Sequence, residues 1–169
     1  MPLTRLSAKD GTWDGLKQAW RAECEKFGED FDNYALGTFA ILDPLALEHS
    51  KKAGIFGLPD GGSISALCQA NCTPLPGHPK PVLRVRFMTF SPRFDFGDLE
   101  VTDYARVLVG MFFGIIALSQ RVMAAKEVKF HLRSLADRQF FAALETPLSK
   151  VSSFKRVEVQ GMWLYVTKS

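Results

Sequence analysis

Three cysteines, three histidines and three tyrosines are all that the 169 residues hold of those types. An odd and small cysteine count gives no paired framework, which excludes a disulfide-stapled secreted scaffold and leaves Cys24, Cys68 and Cys72 as expected free thiols. His49, His78 and His131 stand apart, without HxH or HxxxH spacing. Cys68 and Cys72, at i and i+4 of an expected strand, would sit about 13 Å apart, too far to share one zinc ion. No metal site is therefore expected. Missing too are a G-x-S-x-G turn, a Walker A loop and a Rossmann G-x-G-x-x-G. Neither sign of charge dominates. Lys and Arg number 21 against 18 Asp and Glu, a net +3 that marks neither a nucleic-acid binder nor a membrane-surface protein. The longest apolar run, Val107 to Leu118, falls short of the about 20 residues that a bilayer span needs. Met1 to Asp10 lacks the basic-then-apolar pattern of a leader. A cytoplasmic location with no membrane partner is the expectation.

What is present suits one domain. Hydrophobic residues make up 47% of the chain, with 14 phenylalanines among them, enough for a substantial core without staples. A first strand is expected over Leu3 to Leu6. Asp10 to Gly28 carries Trp13, Leu16, Trp20 and Cys24 at spacings of three and four and reads as a helix, capped by Asp10 or Thr12 and stopped at Gly28. Its two tryptophans share one face and are expected in the core. Tyr34 to Leu42 reads as a strand ended by Asp43-Pro44, and Leu45 to Lys52 as a short helix. Ile55 to Leu58 and Ile64 to Cys72 form a hairpin around Pro59-Asp60-Gly61-Gly62. Pro74 to Pro81, with four of the nine prolines, is a loop. Val82 to Phe90 is the clearest strand: Val82, Arg84, Arg86 and Met88 alternate against Leu83, Val85, Phe87 and Thr89. A loop over Ser91 to Glu100 leads to a long helix from Thr102 or Asp103 to Ala124. Glu127 to Arg133 is a strand, Ser134 to Leu148 a helix capped by Ser134, and Phe154 to Val166 one long strand or a bent pair around Gly161. Strands in a meander followed by helix-linked crossings specify an α/β fold, a mixed sheet with helices on both faces.

Chemistry concentrates between Val82 and Ala124. A strand with two arginines passes through a Pro/Gly loop into the start of a long apolar helix, where free N–H groups and the positive dipole end favour an anion. Arg93 and Arg106 add charge there. Thr102, Arg106, Gly110 and Gly114 recur every four residues on one helix face, a stripe that permits close packing on a sheet.

In layout the chain resembles the GNAT-type N-acyltransferases over most of its length. Leu3 to Leu6 with Asp10 to Gly28 is similar to that family's first strand and helix. The strands around Pro59-Asp60-Gly61-Gly62 resemble its central meander. Val82 to Phe90 falls where its acyl-CoA-binding strand lies, and Thr102 to Ala124 where its pyrophosphate-binding helix lies. The resemblance implies a GNAT-like mixed central sheet flanked by helices. It further implies acetyl-CoA or another acyl-CoA as cofactor, held by Arg93, Gly97, Thr102 and Arg106, and a small-molecule or other amine as acceptor. The family's loop has the form [RQ]-x-x-G-x-[GA]. In Arg93-Phe94-Asp95-Phe96-Gly97-Asp98 the glycine stands one position late, and Asp95, Asp98 and Glu100 bring negative charge. The tyrosine that many members place on the later helix is replaced by phenylalanine in Ala136-Asp137-Arg138-Gln139-Phe140-Phe141. Tyr104 and His131 are the remaining candidates for acid and base. Two functions follow. One is acyl transfer to an amine. The other is a non-catalytic binding or assembly protein on the same fold, with Phe112 and Phe113 as a surface for self-association.

Overall fold

The computed structural model describes residues 2–169. Seven strands, β1 (Thr4–Leu6), β2 (Ala53–Asp60), β3 (Ser63–Thr73), β4 (Val82–Phe90), β5 (Glu127–His131), β6 (Phe154–Gln160) and β7 (Trp163–Lys168), form one sheet in the order β1-β2-β3-β4-β5-β7-β6. β1 to β4 are antiparallel neighbours, β4 and β5 run parallel, and β7 and β6 are antiparallel. Among the described residues there are also five helices: α1 (Thr12–Lys26), α2 (Leu36–Leu47), α3 (Pro92–Phe96), α4 (Val101–Leu118) and α5 (Leu135–Ser149). This is the mixed α/β architecture expected, with helices on both sheet faces.

Alternation along the strands gives the two faces different fillings. On one, α4 and α5 cover Phe56, Leu83, Val85, Val128, Phe130 and Leu164. Phe112 of α4 and Phe141 of α5 meet Phe130 there, with ring centroids 5.4 and 6.4 Å from it. On the other, α1 and α2 cover Leu6, Ile55 and Leu67 with Trp13, Trp20 and Phe39. Both indoles are core anchors, as expected. Their N–H groups donate to Asp43 at 2.7 Å and to the Ile64 carbonyl at 3.0 Å. The glycine stripe of α4 admits leucines: a Cβ on Gly110 would lie 2.9 Å from Leu58, and one on Gly114 2.6 Å from Leu3.

Several elements differ from expectation, each for a local reason. Tyr34 to Leu42 is not a strand; α2 runs from Leu36 to Leu47 and absorbs the start of the short helix expected over Leu45 to Lys52. Phe39, Leu42 and Ala46, spaced three and four apart, bury one face against α1, and that packing outweighs Pro44, which lies close to the helix end. The loop after β4 contains α3, with Pro92 in its first turn. α4 is capped by Glu100, not by Thr102 or Asp103; Asp103 instead completes the capping box. It stops at Leu118, short of Ala124, where the Ser119 hydroxyl bonds the Ile116 carbonyl at 2.7 Å. The last segment is a hairpin whose turn needs Gly161 at φ +58. The thiols are free, Cys24 and Cys68 buried and Cys72 half-buried.

Phe112 and Phe113 part company. Phe112 is 2% exposed and Phe113 47% exposed. Phe112→Ala is expected to cost about 3–5 kcal/mol of stability through the cavity it leaves. Phe113→Ser should change the unfolding free energy by less than about 0.5 kcal/mol. Urea denaturation of both variants checks the pair.

Candidate functional site

β4 and β5 pair in parallel from Val82–Glu127 to Val85–Phe130, and the ladder then stops. The cause lies in β4. Between its pairings Arg86–Gln69 and Thr89–Leu67, β4 carries one residue more than β3, a bulge in which Phe87 adopts φ +52. The left-handed region is strained for an aromatic side chain, and such strain gathers at functional sites. The bulge also reverses the alternation read from sequence. Met88 joins Leu83 and Val85 in the α4–α5 core, while Phe87 packs with the α1–α2 cluster.

Beyond the bulge the two strands part. Arg133, just past β5, spans the gap; its guanidinium donates to the Met88 carbonyl at 3.1 Å and to the Thr89 hydroxyl at 2.9 Å. The Asp137 carboxylate fixes the base of this bridge by accepting the N–H groups of Arg133 and Ser134 at 3.0 and 3.1 Å. Ser134 caps α5, as expected. The gap opens into a cleft of about 820 Å³. Its apolar wall is Met88, Phe90, Leu108 and Phe140, and its polar groups include Tyr34, Asp95, Tyr104 and Arg133. A second cavity of about 600 Å³ lies toward α2, lined by Leu36, Thr38, Phe87 and His131. Asn33, Ala35 and Arg133 line both, so the two spaces meet at the parting of the strands.

Two tyrosines face the cleft. The Tyr34 hydroxyl donates to the Phe90 carbonyl at 2.7 Å and lies 2.9 Å from the Asp95 carboxylate. Burial first, and Asp95 next, push its pKa well above the usual phenol range, so it keeps its proton. Tyr104 packs between Phe90 and Phe94 at 5.8 and 5.3 Å. Burial and then Asp95 raise its pKa as well. His131 stands at the second cavity, edge-on to Trp163 at 4.8 Å. Burial, then Arg86 and Arg133, lower its pKa, which keeps the imidazole neutral near pH 7 and able to accept a proton.

The four residues expected to hold a cofactor pyrophosphate lie outside the cleft lining. Arg93 and Arg106 do come together, but on Asp60 of the β2–β3 turn, at 2.8 and 3.3 Å. Arg106 first, then Arg93, hold the Asp60 carboxyl below its usual range. Gly97 ends α3, where a Cβ would lie 2.4 Å from the Arg93 carbonyl. Thr102 is exposed in the first turn of α4. The helix start is already served by the carboxylates of Glu100 and Asp103. Tyr34 and Arg133 were missed in the sequence. Tyr34 fell in a segment read as a strand, and nothing in the spacing signals that Arg133 turns back across the gap.

No family model matches the chain, and no curated protein matches it. Among solved structures, the chain is similar to a probable acetyltransferase from Staphylococcus epidermidis ATCC 12228, with a TM-score of 0.54 over 99% of this chain and 98% of that one. Identity is 12%, so the likeness is one of fold. The chain has an acetyltransferase-like α/β fold.

Proposed function

We propose that the protein is a GNAT-type, acyl-CoA-dependent N-acyltransferase, whose cleft takes the acyl and pantetheine end of the thioester and whose second cavity takes a small amine. The observation that carries this is the opening of β4 from β5 at the Phe87 bulge, between two cavities that meet. An acyl-CoA supplies an activated acyl group. The chain's own residues divide the remaining work. Met88, Phe90, Leu108 and Phe140 exclude water. The Met88 and Phe90 carbonyls are taken by Arg133 and Tyr34, which leaves N–H donation from the parted edge of β4 as the means to polarise the thioester carbonyl. Tyr104 holds a proton at the cleft wall, and neutral His131 can take one from an amine.

The residues fit the thioester end of the group and do not fit its pyrophosphate. One carboxylate binds both arginines, and two more cap α4, leaving no net positive charge for a diphosphate. Acetyl-CoA and acetyl-pantetheine are therefore expected to bind with affinities within about threefold, a difference below 1 kcal/mol. The double substitution Arg93→Ala, Arg106→Ala should change neither by more than that. Titration calorimetry decides. A tenfold preference for acetyl-CoA that disappears in the double variant and in high salt would return the pyrophosphate to this loop. No heat from either thioester at millimolar concentration would favour the second reading, a binding protein without acyl transfer, for which the Asp60 pairing is the supporting observation.

A further inference from the structure

On the face covered by α1 and α2, the packed cluster reaches β4 only at Phe87, at the bulge. Beyond it, register places Arg84 beside Lys129, Lys129 beside Tyr165, and His131 beside Trp163, all on that open face. Arg86 follows Arg84 two residues on. Around the Trp163 ring centroid stand Lys129 at 5.3 Å, Arg86 at 5.8 Å and Arg84 at 6.0 Å. Lys129 also lies 4.5 Å from the Tyr165 ring. Among the described residues, none of these three cations has a carboxylate partner or a side-chain hydrogen bond. The acids sharing the face are committed elsewhere: Glu127 contacts His78 at 2.6 Å, and Glu158 is bound by Arg156.

We propose that Arg84, Arg86 and Lys129, grouped around Trp163, bind the carboxylate of a small acceptor molecule. The word acceptor rests on the acyltransferase reading; the anion site stands without it. Three like charges fixed by rigid strands repel one another until an anion joins them. Two guanidinium forks suit the planar, two-oxygen geometry of a carboxylate, and the half-buried indole offers a flat wall to its carbon chain. The extent of the patch also limits the ligand. It covers three strands, about 10 Å across, and ends at Glu127 and Glu158, which suits one small molecule and not a tract of phosphates. His131 ties the patch to chemistry, since it touches Trp163 and lines the second cavity. A molecule held by its carboxylate at Trp163 would direct its other end past His131 toward the parting of the strands.

Trp13 and Trp20 are buried, at 1% and 0% exposure, so Trp163 is the tryptophan whose fluorescence a surface ligand can reach. The test titrates the free protein, without any thioester, with glutarate, inorganic phosphate and the diamine cadaverine. Glutarate is expected to alter the emission saturably, and cadaverine to leave it unchanged. Arg84→Ala with Arg86→Ala should weaken glutarate binding by about tenfold or more, the size of a lost charge-assisted contact. Lys129→Met should weaken it in the same direction. In Trp163→Phe the optical signal should vanish while calorimetry still registers glutarate. Circular dichroism verifies that each variant is folded. The proposal is overturned if glutarate gives no saturable change, if folded Arg84/Arg86 and Lys129 variants bind it as before, or if phosphate binds tenfold more tightly than glutarate. Glutarate binding in a protein that ignores every acyl thioester would keep the anion site and remove the transferase reading.

Discussion

Ile115→Asp is expected to yield no folded protein. Ile115 is fully buried in the last turn of α4, in the core that joins that helix to the sheet. Two losses combine. Removing the aliphatic side chain forfeits about 2–5 kcal/mol of burial and packing. A carboxylate left there without a partner costs several kcal/mol more, or must be protonated to survive. Together these approach the whole stability of an ordinary domain, about 5–15 kcal/mol. Ile115→Val serves as control, with an expected loss of about 0.5–1.5 kcal/mol. Far-ultraviolet circular dichroism and a thermal melt read the result. A cooperative melt for Ile115→Asp at the parent temperature would remove α4 from the core and, with it, one wall of the cleft.

That position was legible from sequence because an uncharged stretch bounded by Arg106 and Arg121 has few alternatives in a chain of this size. Strand β4, the proline turn before β3 and the N-terminal cap of α5 were legible on the same kind of local evidence. The segment from Tyr34 to Leu47 was not. Its apolar residues satisfy an alternating pattern and a helical one about equally, and the choice is made by Trp13 and Trp20, which lie far away in sequence. The bulge at Phe87 was hidden for a related reason. A strand with one extra residue keeps its composition and changes only which face each later side chain meets. Both cavities depend on that shift, so the site was less legible than the fold. Asp60 shows the same limit from the other side. Read in sequence it is a turn residue; in space it pairs with both of the arginines that made the loop after β4 look like a phosphate site.

The substitution with the largest expected effect on ligand binding is Ala105→Trp. Ala105 lies on α4 one residue after Tyr104 and one turn after Val101, half-buried on the cleft wall. Its small side chain leaves space beside Leu108, Phe90 and Phe140. An indole introduced there fills space that the acyl and pantetheine chain requires. It faces a solvent-connected cleft rather than a closed core, so the helix need not move and the cost to stability should stay within about 1–3 kcal/mol. Ligand affinity, in contrast, should fall by at least about a hundredfold, since an excluded ligand forfeits most of its buried apolar contact, at about 25 cal/mol per Å². Calorimetry with acetyl-pantetheine measures this, beside a melt that verifies folding. Glutarate supplies the internal control. The anion patch at Trp163 lies on the opposite face of the sheet, and its affinity for glutarate should be unchanged in Ala105→Trp. A folded Ala105→Trp that binds acetyl-pantetheine as the parent does would place the thioester outside this cleft. Loss of both ligands together would mean that the substitution had disturbed the sheet itself, and the Leu108→Phe variant, which narrows the same wall by less, would then separate steric exclusion from damage to the fold.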